Sequence, residues 1–213
     1  MDHLSLPSRR PRHPDTGAGR LMRAVLAVVA AAALLTGCSS GSDAVDVNNG
    51  GEFRYVAATP AGQVIPVADR ASAPEFAGTL LDGDSFESTS LAGQVAVLNF
   101  WGSWCPPCRV ETPQFSAVSG DYAHEDVQFL GIDVKEQDQQ FADAFVRDKK
   151  IAFPSLYDPR GEVSLAFRDY PPSAIPSTIL LDRQYRVAAV YTGEVKQDDL
   201  RAVLDRVLAE EPS

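Results

Sequence analysis

Two cysteines stand two residues apart in the stretch Phe100–Pro113, FWGSWCPPCRVETP, flanked by both tryptophans of the chain, Trp101 and Trp104. Such a pair can be a redox couple, half of a metal site, a haem anchor or a structural staple. Structural zinc needs four ligands, and the sequence has no second Cys-x-x-Cys or Cys-x-x-His. Beyond residue 37 the single histidine is His124, which reads as a solvated side chain at a helix end, so no metal is expected. Haem attachment requires histidine directly after the second cysteine, where Arg109 stands. A staple closing so short a loop at a helix start adds little stability. Thiol–disulfide exchange is the remaining chemistry, and it needs no dissociable cofactor.

The elements around the pair must position it. Val95–Trp101, VAVLNFW, is a near-continuous apolar run of strand length, as in a central strand covered on both faces. Residues 106–122 read as a helix with Val110, Phe115 and Val118 apolar, and Pro106 and Pro107 suit its first turn because amides there lack intrahelical partners. Cys105 therefore lies near the helix N-cap, where free N–H groups and the macrodipole favour a thiolate, the attacking species. Cys108 lies a turn deeper and can close back onto it. The expected arrangement is an exposed nucleophile and a buried resolving thiol.

Further along, strands are expected at 127–134, 153–157, 177–182 and 186–192, with a turn at Asp158–Gly161 and a tight turn at Arg183–Tyr185. Helices are expected at 137–149, with Phe141, Ala144 and Phe145 inward, at 163–167, and at 198–208, with Leu200, Val203, Leu204, Val207 and Leu208 on one face. Alternating strands and helices followed by a hairpin and a terminal helix describe an α/β sandwich with a mixed sheet.

The N-terminus is of another kind. Arg9, Arg10, Arg12, Arg20 and Arg23 make it basic, and an apolar run of about a dozen residues follows, the length of a signal h-region rather than a membrane span. Met22 is an alternative start. Leu35-Thr36-Gly37-Cys38 resembles a bacterial lipobox, which implies a signal peptide over 1–37 and lipidation of Cys38. Residues 38–72 read as a polar tether with a β-hairpin around Thr59–Gly62, and 73–213 as the folded domain. The 213-residue chain carries a net charge of −10, and because residues 1–37 hold five arginines against Asp2 and Asp15, the remainder carries −13. An acidic domain without a basic stripe argues against nucleic-acid binding, and attachment to an anionic membrane must come from the lipid.

FWGSWCPPCRVETP together with Ile175-Pro176-Ser177-Thr178 resembles the thioredoxin superfamily, and within it the TlpA/ResA-like thiol–disulfide oxidoreductases. The resemblance covers about residues 73–210 and implies a thioredoxin-like fold. A central mixed β-sheet is flanked by helices, with an N-terminal extension and a central insertion over 135–170. It makes Cys105 the nucleophile, Cys108 the resolving cysteine, Pro113 the helix-kinking proline and Pro176 a cis-proline facing the pair. Trp104 and Ile175 join Pro176 in the substrate-binding set, and Glu111 becomes an acid/base partner of Cys108. Asn99 stands where thioredoxin has a buried aspartate, as is common in this branch. Tyr170-Pro171-Pro172 either shapes the groove near Pro176 or is a plain loop.

The resemblance also implies protein disulfide substrates, a membrane thiol–disulfide electron donor and a place on the extracytoplasmic face of the membrane. The branch includes the reductants of cytochrome c maturation, so the resemblance leaves apocytochrome c, a copper-site assembly protein and misoxidised proteins in general as the candidate clients. Pro107 before the second cysteine is shared with reducing members, whereas strong oxidants often have histidine there. A reductase is therefore expected. An oxidant or isomerase of secreted proteins and a redox-inert binding lipoprotein are the rival readings, and a peroxidase does not suit the motif.

Overall fold

The computed structural model describes residues 62–172 and 174–210. The expected signal peptide, the expected lipidation site Cys38, and most of the expected tether and of the first arm and turn of the hairpin lie outside the described residues. A six-stranded sheet runs in the order β1-β8-β7-β4-β5-β6, with β1 at Gln63–Val64, β4 at Val95–Trp101, β5 at Val127–Val134, β6 at Ser155–Asp158, β7 at Ser177–Leu181 and β8 at Val187–Thr192. β4 pairs parallel with β5 and antiparallel with β7, and β5 pairs parallel with β6. All seven residues of β4 are buried, as its unbroken apolar run requires.

Among the described residues four helices flank the sheet: α1 at Cys108–Asp121, α2 at Gln139–Lys149, α3 at Glu162–Ala166 and α4 at Gln197–Leu208. Val95, Val97 and Trp101 of β4 share one core with Phe115 and Val118 of α1, Phe145 of α2 and Leu200, Val203 and Leu204 of α4. The alternate residues Ala96, Leu98 and Phe100 face a second core with Val163 and Phe167. The period-2 alternation of a strand thus feeds two helical layers from one sheet. Among the described residues no helix is long and apolar enough to cross a membrane.

Several local expectations needed correction. Val110 and Phe141 are each 51% exposed, while α2 buries Ala142 and Phe145. One residue is 100° of helix, so an aromatic at the edge of an apolar stripe can point either way. β6 starts at Ser155 rather than Phe153, because Pro154 has no N–H to give the ladder. A short ribbon, β2 at Ala77–Thr79 with β3 at Ser85–Glu87, was not expected. Its continuation touches β6 through the Leu80–Leu156 bridge and the Leu81 N–H bond to Ser155 O, which covers that sheet edge.

The fold also begins before residue 73. Gln63 and Val64 pair antiparallel with Val190 and Ala189 of β8. Arg70 is buried, and its Nε donates to Ile65 O at 3.0 Å. Its guanidinium also reaches Asp182 at 3.1 Å and Glu210 at 2.6 and 2.7 Å. Asp182 in turn holds the 182–186 turn by accepting from the Gln184 and Arg186 N–H groups. Arg70→Ala strands a buried carboxylate and a carbonyl, so chemical denaturation of the oxidised protein should show a loss of about 3 kcal/mol. A loss within about 0.5 kcal/mol, the range of ordinary surface changes, would show that residues 62–72 are not anchored by this cluster.

Candidate active site

The loop leaving β4 is tied down before it reaches the cysteines. Trp104 Nε1 donates to Val134 O at 3.1 Å, and the Ser103 N–H donates to Glu136 Oε2 at 3.0 Å, both at the end of β5. A Cβ at Gly102 would stand 2.5 Å from Trp104 Nε1, so only glycine lets the indole fold back over the turn. The Cys105 carbonyl accepts the Arg109 N–H at 3.2 Å, which makes Cys105 the effective N-cap although regular helix starts at Cys108. The Cys108 N–H donates to Cys105 Sγ at 3.3 Å. Sulfur thus occupies the place of a serine oxygen in an ordinary cap, with Pro106 and Pro107 supplying two positions that need no partner.

Cys105 and Cys108 form a disulfide, with a Cα–Cα distance of 5.3 Å. Exposure does not separate them: Cys105 is 1% exposed and Cys108 is 0% exposed. The expected exposed nucleophile is covered because the Ile175 carbonyl lies 3.6 Å from its sulfur. The peptide bond between Ile175 and Pro176 is cis, and the Pro176 carbonyl accepts the Gly193 N–H at 2.8 Å. What distinguishes the two sulfurs is the hydrogen bond that only Cys105 receives at the helix start.

Glu111 lies one turn after Cys108 on the same helix face and is fully buried. Its Oε1 accepts the Val195 N–H at 2.9 Å, and its Oε2 accepts from Asn99 Nδ2 at 3.4 Å. Asn99 Nδ2 also donates to Thr178 Oγ1 at 3.4 Å, linking β4, β7 and α1 beneath the disulfide. Burial pushes the Glu111 carboxyl up to about 7, against the two hydrogen bonds that lower it and with Glu194 raising it further. Pro113 sits inside α1, which continues through it to Asp121.

Several participants were not singled out from the sequence. Thr178 lies two residues after Pro176, but the Val195 N–H carries no side-chain signal at all. Asp133 is a second buried carboxyl, pushed up to about 8 by burial and by Glu136, Asp143 and Asp158. Neither of its oxygens has a hydrogen-bond partner among the described residues. A charge inside the apolar run of β5 was the visible signal for it. Among the described residues no cluster of His, Cys, Asp or Glu is arranged to hold a metal ion.

Residues 70–190 match the AhpC/TSA family. The chain belongs to that family. Over 135 residues it is 30% identical to the thiol-disulfide oxidoreductase ResA of Bacillus thuringiensis, covering 63% of this chain and 76% of that protein. It is 31% identical over 111 residues to the sporulation thiol-disulfide oxidoreductase A of Bacillus subtilis, covering 51% of this chain and 66% of that protein. A DsbF homologue from Corynebacterium diphtheriae shares 35% identity at a TM-score of 0.65, over 68% of this chain and 92% of that one. This AhpC/TSA-family member therefore has the thioredoxin-like fold and is a thiol–disulfide oxidoreductase of the ResA, StoA and DsbE type.

Proposed function

We propose that this family member is a lipid-anchored, extracytoplasmic reductase of protein disulfides, with Cys105 as nucleophile and Cys108 as resolving thiol. The observation that carries the direction is the surroundings of the Cys105 sulfur. It receives one backbone N–H, while Arg109, the nearest cation in sequence, is engaged elsewhere. Arg109 Nη1 donates to Ser103 O at 3.0 Å, and its guanidinium carbon lies 5.6 Å from the Phe145 ring centroid. A thiolate with little cationic support is less stabilised, and a less stabilised reduced form gives a lower reduction potential.

In the forward reaction the Cys105 thiolate attacks a client disulfide and forms a mixed disulfide, releasing one client thiolate. Cys108 loses its proton to Glu111 and attacks Cys105 Sγ, releasing the second client thiolate. The protein pair is oxidised by two electrons and the client disulfide is reduced by two. No dissociable cofactor enters. Trp104, Ile175 and Pro176 form the surface that meets the client backbone, while Asn99, Pro107 and Pro113 hold the geometry. A membrane thiol–disulfide donor returns the pair to the dithiol, Cys38 supplies the lipid anchor, and apocytochrome c is the client class proposed among those the branch leaves.

A Corynebacterium glutamicum protein described as a secreted thiol-disulfide isomerase is 32% identical at a TM-score of 0.66, over 70% of this chain and 92% of that one. Its description supports an extracytoplasmic site and also favours a second reading, in which the pair isomerises or oxidises disulfides. Redox titration followed by tryptophan fluorescence separates the two. A potential near the thioredoxin value of about −270 mV is expected, and one near about −120 mV would overturn the reductase. Failure to cycle would leave a binding lipoprotein instead.

A further inference from the structure

The helix start puts Arg109 within reach of Cys105. The Arg109 N–H donates to Cys105 O at 3.2 Å, so the two residues stand one turn apart on one face. Side chains on a helix lean toward its N-terminus, which directs the Arg109 stem back toward the Cys105 end of the turn. The guanidinium is nevertheless held elsewhere. Its Nη1 donates to Ser103 O at 3.0 Å, and its central carbon lies 5.6 Å from the Phe145 ring centroid, within the about 6 Å reach of a cation–π contact.

Both holds are themselves anchored. The Ser103 N–H donates to Glu136 Oε2 at 3.0 Å, which fixes the residue whose carbonyl Arg109 uses. Phe145, on α2, is 5% exposed and packs against Trp101 with ring centroids 5.0 Å apart. Core packing therefore keeps the ring in place beneath the guanidinium. Among the described residues Arg109 forms no ion pair, so no carboxylate cancels its charge.

Resting on the reading of Cys105 as the attacking thiolate, we propose that Phe145 is a positioning residue that sets the redox poise of the pair by holding Arg109 away from the Cys105 sulfur. In the disulfide form no negative charge stands at the helix start, and the open N–H groups there repel a cation. In the dithiol form the Cys105 thiolate attracts it, and the ring and the Ser103 carbonyl compete for the same guanidinium. Both competitors are neutral, so the charge they retain is a whole charge withheld from the thiolate. A reduced pair denied that support gives up its two electrons to a client disulfide more readily.

The test uses the full chain and titrates the Cys105 thiolate of the reduced protein by its ultraviolet absorbance. Phe145→Leu keeps an apolar side chain in the core and removes the ring. The freed Arg109 should lower the midpoint by about one pH unit, the low end for an opposite charge at contact distance, because the rim is open to water. At a pH above both midpoints, the equilibrium with glutathione should shift about tenfold toward the reduced protein, or about 30 mV for a two-electron couple. Phe145→Tyr keeps the ring and should titrate as the wild type does. Adding Arg109→Gln to Phe145→Leu should cancel the shift, which a general loosening of the core would not do. An unchanged midpoint in Phe145→Leu, or a shift that persists without Arg109, overturns the proposal. Arg109→Gln alone, in an intact core, should leave the midpoint near the wild-type value. A rise of about one pH unit there would mean that Arg109 already supports the thiolate, and would overturn the hold. A wild-type pair that never cycles with glutathione fails the redox reading and the proposal with it, whereas a cycling pair with an unmoved midpoint sinks the proposal alone.

Discussion

Cys105→Ser abolishes turnover by at least about 10⁴-fold and captures no client, whereas Cys108→Ser accumulates a client joined to Cys105. The asymmetry follows from the helix start. Only Cys105 Sγ stands where the Cys108 N–H and the open end of α1 favour negative charge, so only its thiolate is supported as the attacking species. Removing Cys108 leaves that attack intact and deletes the thiol that resolves the mixed disulfide. Serine at 105 offers a hydroxyl that is not ionised near neutral pH and cannot open a disulfide. Non-reducing electrophoresis of cells expressing each variant reads the result directly. Trapping by Cys105→Ser instead, or by neither variant, would reverse or cancel the assigned roles.

Glu111→Gln slows resolution of the mixed disulfide by about 10²-fold and removes a pH step near 7 from that rate. In the proposed reaction the carboxylate, buried one turn from Cys108, accepts the proton that the resolving thiol must lose before it attacks. Because burial pushes it up to about 7, it is protonated and inactive as a base well below that pH and ionised above it. Wild-type resolution should therefore rise with pH through about 7, while the glutamine variant should show no inflection there. A glutamine variant that keeps the wild-type rate and profile would remove Glu111 from the reaction.

The same carboxyl must also tilt the stability curve. Its pKa is raised on folding, so the folded state holds a proton that the unfolded chain releases between 4.5 and about 7. That contribution is complete below 4.5, is lost as pH rises through about 7 and is flat above. Asp133, raised from 3.8 to about 8, acts in the same direction over a wider window. Urea unfolding of the oxidised protein should therefore show lower stability at pH 8 than at pH 5. Glu111→Gln should flatten the curve by at most roughly 3 kcal/mol, leaving the Asp133 share. A wild-type curve rising over this range would contradict both burial effects.

Much of the frame was legible in the chain because it rests on short-range patterns. The expected strands 95–101 and 127–134 coincide with β4 and β5, since an apolar run of strand length has few other places to go. Helix starts and ends fell within two residues because proline and turn residues act locally. The faces of α1 and α2 were harder: Val110 and Phe141 look like core residues and are exposed. Periodicity identifies a stripe, but only the neighbouring elements decide which edge of it is covered. β2, β3 and the clamp at Arg70 were missed because three-residue strands have too little pattern and a buried ion cluster joins residues up to 140 positions apart.

What the sequence by itself determined is the reactive pair, its seat at a helix start and the prolines that shape that seat, all within fourteen consecutive residues, Phe100 to Pro113. These depend on bonding and backbone geometry over one or two turns. The tertiary structure alone decided that Ile175 covers Cys105 and that Val195 donates to Glu111, and it holds the Ile175–Pro176 bond in the cis form that the family resemblance implied. It also decided that Phe141 and Trp104 line one open cleft. Each of these joins segments separated by tens of residues, through backbone groups or exposed faces that leave no mark in residue type. A cis bond is a minority state at any proline, so only the packing around it selects one.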